Sequence, residues 1–273
     1  MRVVLCCLAK NEHKYINDFV KWYCNIGFDT IYIYDNDDLD KPHIENYIDP
    51  KYRGRVVVKN VRGFKEVGLQ ARLYTGFYAK YGKEFDWVMY CDVDEFLFGV
   101  DNIKDFLSQP KFNNVPQIRV KWRLFGDDNL ITRDMGKPVY EVFHNEITFA
   151  YNRALTKECN LQNQGKCIVR GRLNGIKLFS VHYANYLKQG CLLRSVLPSG
   201  KQCESGVCIK EDYSNESVFL HHYMTKSLSE FLEQKLNRND AVFNTKLPLD
   251  YFWRINEKTE EKLNYLREKG FID

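Results

Sequence analysis

The chain has 273 residues, 44% of them hydrophobic and 28% charged, a balance suited to one large or two small packed domains and unlike that of a disordered chain. Lys and Arg number 40 and Asp and Glu 36, leaving a net charge of +4, too small a surplus to mark a nucleic-acid-binding protein. Aromatic residues reach 15% (18 Phe, 18 Tyr, 4 Trp), enough for a ring-rich core and for polar clefts lined by Tyr and Trp.

Arg2–Ala9 is an unbroken β-branched and apolar run, which predicts a strand covered on both sheet faces. It is far shorter than the ~20 residues that span a bilayer. Lys10-Asn11-Glu12-His13-Lys14 follows where a signal peptide would need a small-residue cleavage site, so neither an export nor a membrane-spanning signal is read. Ile16, Phe19, Val20, Tyr23 and Ile26 recur at helical spacing, and Gly27 ends that helix. Thr30–Tyr34 predicts a second strand, followed by the acidic turn Asp35-Asn36-Asp37-Asp38-Leu39-Asp40. Arg55–Val61 predicts a third strand and Val67–Tyr81 a helix with Leu69, Leu73, Phe77 and Tyr81 on one stripe. Trp87–Cys91 predicts a fourth strand that runs into Asp92-Val93-Asp94-Glu95-Phe96. This alternation predicts an α/β fold with a mostly parallel sheet and right-handed crossovers. Ligands of such sheets sit beyond the carboxyl ends of the strands, which points at residues 9–12, 35–38 and 92–95.

The second half is less regular. Short strand-like pieces fall at Gln117–Trp122, Cys167–Arg170, Lys177–His182 and Val218–His222, and helices at Ser227–Leu236 and Glu257–Lys269. Neither a Pro/Ser-rich linker nor an internal repeat divides the halves, which favours one domain. The 9 cysteines are odd in number and include no C-x-x-C. Cys6, Cys7, Cys91 and Cys167 lie in apolar runs, where a free thiol acts as a small hydrophobe, so a reducing cytoplasm is expected. Cys203 and Cys208, in a Gly/Ser-rich stretch, are left open as a pair.

The pair Asp92 and Asp94 carries the chemical reading. In extended backbone side chains two apart point the same way, and Glu95 adds a third acid. Such repulsion is relieved by a divalent cation or a retained proton. Mg²⁺ or Mn²⁺ would take one or two carboxylates and fill its shell with phosphate oxygens and water, neutralising a diphosphate leaving group. The plain alternative is a solvated acidic turn after a strand.

Several further motifs stand in order. They are Lys10-Asn11-Glu12; Phe19-Val20-Lys21-Trp22-Tyr23; Tyr32-Ile33-Tyr34-Asp35-Asn36; Gln70 and Arg72; and Asp86 through Phe96. Trp122-Arg123-Leu124-Phe125-Gly126, Lys166-Cys167-Ile168-Val169-Arg170, His182, and His221 through Ser227 with Phe231 and Lys235 complete the set. Together they resemble nucleotide-sugar-dependent glycosyltransferases of the A-fold. The set is most similar to family 92 and the related bacterial family 2-like group. The resemblance implies a single A-type catalytic domain over residues 1–240, with a nucleotide-binding half (1–100) and an acceptor half (101–240), and a helical extension at 241–273.

It also implies roles. Asp92 and Asp94 would hold donor ribose and metal, with His182 completing the metal shell. His222 would join the metal set or, with Lys226, face the donor phosphates or the acceptor. Asn11 and Glu12 would contact the base or cap the next helix. Asp35 would meet uracil or ribose, or act as a turn-forming Asx residue. Gln70 and Arg72 would reach the diphosphate or the acids, or form a solvated helix face. Each histidine has a core or surface residue as its alternative. The expected reaction is attack by a glycan hydroxyl, on a free or lipid-linked acceptor, at the anomeric carbon of a UDP-linked sugar. Mn²⁺ or Mg²⁺ and Lys226 or Arg170 would stabilise the departing diphosphate. Asp127 or Asp128 would take the hydroxyl proton if the reaction inverts, with Glu95 in reserve. Bacterial surface-polysaccharide synthesis is the implied process. Lys226, Lys235 and Arg238 would approach an anionic membrane or form an ordinary solvated helix face. Two other classes stay open. A haloacid-dehalogenase-like phosphohydrolase would use Asp92 and Asp94, although that family wants Thr or Val where Phe96 stands and carries its motif on the first strand. The other is a non-catalytic sugar-binding protein.

Overall fold

The computed structural model describes residues 1–147, 161–178, 180–187, 192–236, 238 and 247–273. The first half runs β1 (Val3–Ala9), α1 (Ile16–Asn25), β2 (Thr30–Asp35), β3 (Val56–Asn60), α2 (Leu69–Tyr81), β4 (Trp87–Tyr90), β5 (Glu95–Phe98) and α3 (Ile103–Leu107). Then come β6 (Gln117–Leu124), β7 (Gly165–Arg170), β8 (Ile176–Leu178), β9 (Ala184–Tyr186), β10 (Ser195–Val196), β11 (Gln202–Cys203) and β12 (Phe219–His222). The helices α4 (Leu228–Gln234), α5 (Leu249–Trp253) and α6 (Glu260–Glu268) close the chain.

The main sheet has the order β11-β10-β6-β7-β4-β1-β2-β3. The pairs β1–β2, β2–β3 and β1–β4 are parallel, as the alternation predicts, while β7 is antiparallel to both β4 and β6. β12 adds to the far end of β6 in parallel and carries β5 on its other edge. The alternating residues of β1 explain why its sequence is apolar throughout. Val3, Leu5, Cys7 and Ala9 join a core packed with α1, and Val4, Cys6 and Leu8 join a second core packed with α2. Helices therefore cover both faces, the α/β arrangement expected from sequence.

Backbone contact sets the position of β7. A Cβ at Gly165 would fall 2.0 Å from the Val120 carbonyl oxygen, and one at Gly171 would fall 1.9 Å from that of Phe85, so both places exclude a side chain. The register aligns Cys167 with Tyr90 and Lys166 with Val120. An antiparallel strand begins where its parallel neighbours end, which brings Lys166 to the carboxyl end of β4.

The final helices are tied to the body by buried polar groups. A capping box joins Ser227 and Glu230 at the start of α4. Glu230 also accepts from the Tyr15 hydroxyl at 2.6 Å and pairs with Arg133 at 2.8 Å. Leu228 and Phe231 of α4 pack with Phe252 of α5 and Leu266 of α6. The thiols of Cys6, Cys7, Cys24, Cys91, Cys167 and Cys203 are free and buried. Cys203 therefore does not pair with Cys208, whereas Cys208 is itself disulfide-bonded; Cys159 and Cys191 lie outside the described residues, as does Phe179 of the expected strand Lys177–His182. Among the described residues no helix is long and apolar enough to cross a membrane.

Candidate active site

A cleft of about 250 Å³ opens beyond the carboxyl ends of β1 and β4, where an open α/β sheet binds its ligands. Lys10 and Glu12 reach it from the end of β1, Asp92 and Asp94 from the end of β4, and Trp122 from β6. Lys166 of β7, His182, His222 of β12, and Lys235 and Arg238 beyond α4 close its other side.

The two aspartates reach the cleft by a turn rather than the extended backbone expected. β4 ends at Tyr90, and the Glu95 N–H donates to the Asp92 carbonyl at 3.1 Å across the turn. Each carboxylate has its own cation. Lys166 Nζ lies 2.7 Å from Asp92 Oδ2, and Gln70 Nε2 donates to Asp92 Oδ1 at 2.5 Å. Lys235 Nζ lies 2.7 Å from Asp94 Oδ2, with Lys226 Nζ at 3.9 Å from the same oxygen and His222 Nε2 at 3.4 Å from Oδ1.

Burial opposes the charge on both acids, yet Lys166 holds Asp92 below the usual carboxylate range and Lys235 holds Asp94 well below it. His222 adds little charge of its own, since burial pushes it toward the neutral form against the pull of Asp94. Burial also works against the Lys166 ammonium, but Asp92 raises its pKa. Glu95 is the opposite case. Burial lifts its carboxyl well above the ordinary range, Lys166 notwithstanding, and the charges of Asp92 and Asp94 lift it further. Its Oε2 accepts the Asp92 N–H at 2.9 Å, so it shapes the turn from behind the cleft. Burial and Lys166 lower His182 to about 3. Its Nδ1 is 2.9 Å from the Gly165 carbonyl and must be the protonated nitrogen, leaving Nε2 as acceptor. The Trp122 ring lies between the two histidines, with centroids 4.5 Å from His222 and 5.3 Å from His182.

Several expected roles are corrected. Asp127 is buried with its carboxylate 2.5 Å from Lys262 Nζ of α6, and Asp128 accepts from the backbone N–H groups of His144 and Asn145. Both close loops, and neither lines the cleft. Arg72 lies on the exposed side of α2, 2.7 Å from Glu66, while Gln70 and Tyr74 face inward. Residues two apart on a helix differ by about 200°, so Gln70 and Arg72 do not share a face. Asp35 is buried, accepts from the Asp37 N–H at 3.1 Å and the Ile44 N–H at 3.4 Å, and forms the Asx turn. Asn11 and Glu12 do not cap α1, whose start at Tyr15 has no side-chain cap. Asn11 has a left-handed φ of 56°; its N–H donates to Asp37 at 2.6 Å and its carbonyl accepts from Gln234. Glu12 lines the cleft and pairs with Arg238 at 3.0 Å. Lys226 and Lys235 are buried beside Asp94, not on a membrane-facing or solvated surface. Arg170 is turned away from the cleft, donating to the carbonyls of Val115 and Phe112.

The residues that sequence reasoning missed are cations. Lys166 was visible only as part of a strand motif, and Lys235 and Arg238 only as a basic helical stretch. Ion pairing with Asp92 and Asp94 spans 74 and 141 positions, which local patterning does not reveal.

The expected cation meets a poor donor set. Both Asp92 oxygens and one oxygen of Asp94 are engaged by protein donors at 2.7 Å or less, and the nearby ammonium groups would repel a divalent ion. Among the described residues no group of three or more His, Cys, Asp or Glu side chains is arranged to hold a metal. The set Asp92, Asp94, His182 and His222 lines one cleft but does not form the expected metal shell.

No family model matches the chain. Over 139 residues, 46% of the chain and 23% of the relative, it is 31% identical to a glycosyltransferase family 92 protein of Ricinus communis. The chain thus spans less than a quarter of that relative's length, and it resembles family 92 over the shared part. A partial structural likeness to S. aureus TarS has a TM-score of 0.34 at 15% identity, over 49% of this chain and 24% of that one, too slight to assign function.

Proposed function

We propose that this protein is a glycosyltransferase that moves a sugar from a nucleotide sugar, read as UDP-linked, to a glycan acceptor. The supporting observation is the cleft itself, where Lys10, Lys166, Lys235 and Arg238 surround Asp92 and Asp94 at the carboxyl ends of the strands. With Glu12, which pairs with Arg238, the cleft holds four cations and three acids, a surplus of positive charge that suits a ligand with a diphosphate and a polyhydroxyl part. The similarity to a family 92 protein supports the same class.

In the reaction the acceptor oxygen bonds to the anomeric carbon. The bond from that carbon to the diphosphate oxygen breaks, and its electron pair stays on the diphosphate. The hydroxyl proton leaves to the departing diphosphate or to solvent. The Lys166 and Lys235 ammonium groups, held in place before reaction by their carboxylate partners, stabilise the leaving group without reorganising. Trp122, at the cleft wall, offers a ring face for the sugar. The lipid-linked acceptor and the surface-polysaccharide process rest on the sequence resemblance alone. The cytoplasmic compartment is supported by the buried free thiols and opposed by the disulfide at Cys208; a thiol count on protein isolated from its native compartment decides it.

The test is a panel of nucleotide sugars incubated with pure protein while nucleoside diphosphate release is followed. Release from one donor class supports the reading, and neither release nor binding with any donor overturns it.

A further inference from the structure

The carboxylates that suggest a metal-binding D-x-D are neutralised by the chain's own ammonium groups. Lys166 and Lys235 each lie 2.7 Å from one of them. Lys226 is buried to 1% exposure, 3.9 Å from Asp94 and 4.2 Å from the Tyr15 ring centroid, with no hydrogen-bond partner. Burial pushes this ammonium group toward the neutral form, with Asp94 only partly opposing it, and its backbone has a left-handed φ of 57°, an unfavourable conformation for a residue with a side chain. Lys226 does not line the cleft, whereas Lys166 and Lys235 do.

We propose that the site binds the diphosphate of its donor without a divalent cation, Lys166 and Lys235 supplying the positive charge that a metal would supply. This rests on the glycosyltransferase reading above. Asp92 and Asp94 are then holders of the lysines. They hold the ammonium groups in place, and the incoming diphosphate competes for the same protons. A divalent ion would have to displace Lys166 and Lys235 from both acids and then lie close to them.

The test is calorimetric titration of metal-stripped protein with UDP, GDP, ADP and CDP, in EDTA and again with MnCl₂. One nucleoside diphosphate should bind with the same Kd in both. Asp94→Asn should tighten binding in EDTA, because Lys235 is released toward the phosphate. Lys235→Met should weaken it about tenfold or more, the loss of one charge-assisted contact, and Lys235→Arg should restore most of it. The double variant Asp94→Asn/Lys235→Met removes both members of the closest pair, leaving Lys226 as the remaining ammonium beside position 94, so its binding loss, with melting curves recorded for each variant, separates a phosphate-binding lysine from a folding defect. Binding that appears only with Mn²⁺ and disappears in Asp94→Asn would overturn the proposal and leave the glycosyltransferase reading standing. Absence of binding by every nucleoside diphosphate in both buffers would overturn both.

Discussion

Replacing Asp127 with Asn separates a structural acid from a catalytic one. In the structure Asp127 joins the loop after β6 to α6 through Lys262, and both side chains are buried, at 4% and 1% exposure. Burial raises the Asp127 carboxyl even against Lys262. The larger cost of Asp127→Asn is the ammonium left without a counter-charge, about 3–5 kcal/mol for a buried pair broken on one side. Lys262 keeps bonds to Asn129 Oδ1 at 3.0 Å and the Glu257 carbonyl at 2.9 Å, which places the loss near the lower bound. At about 2 °C per kcal/mol for a chain of this size, the melting temperature should fall by about 6 °C. Asp127→Asn/Lys262→Met should cost less than the sum of its single changes, by about 1–3 kcal/mol, since no charge is stranded. Melting curves read the stability, and nucleoside diphosphate release below the transition reads the reaction, which should be unchanged. An unaltered melting temperature with transfer abolished would refute this reasoning and restore Asp127 as the base.

Arg72→Ala should leave nucleotide affinity unchanged and stability within about 0.5 kcal/mol, as for other exposed positions; a tenfold affinity loss in calorimetry would place Arg72 back in the site. Gly165→Ala should destabilise by about 1–3 kcal/mol by forcing β6 and β7 apart and should weaken nucleotide binding by displacing Lys166. By contrast, Gly76→Ala, in α2 with nothing within 4 Å of the added Cβ, should stabilise by about 0.5–1 kcal/mol, and chemical denaturation compares the two. Burial raises the Glu95 carboxyl well above its ordinary range in the fold, whereas an unfolded chain releases the proton near pH ~4.3. Its contribution to stability is therefore full below that pH and declines as pH rises toward its raised native value. Glu95→Gln removes the decline, so melting curves from about pH 4 to 8 should favour the variant progressively, and a gap independent of pH would contradict the protonated state.

The sheet was largely legible in the sequence because its signals are local. The β1 run is apolar at every position since its odd and even residues enter different cores, and Gly27, with φ 97°, follows α1 where the spacing ends it. β5, lying right after the acidic turn, escaped notice because Glu95 begins it and its pairing partner β12 is more than a hundred residues away. The carboxylates of the site were legible as a pair, but what neutralises them was not. Lysines near residue 230 have the spacing of a solvated helix face, and only the packing of α4 against the β1 loop, through Gln234 on Asn11 and Arg238 on Lys10 and Glu12, turns them inward. The structural role of Asp127 is hidden from local patterning for the same reason, since its partner Lys262 is 135 positions away.

The most direct test of the central reading follows the sugar itself. Protein is incubated with an isotope-labelled nucleotide sugar and a glycan acceptor array, and the acceptors are then weighed by mass spectrometry. One acceptor should gain the labelled sugar while nucleoside diphosphate appears in equal amount, and Lys235→Met should suppress both. Release of inorganic phosphate with Asp92 phosphorylated and no acceptor gaining mass would contradict it.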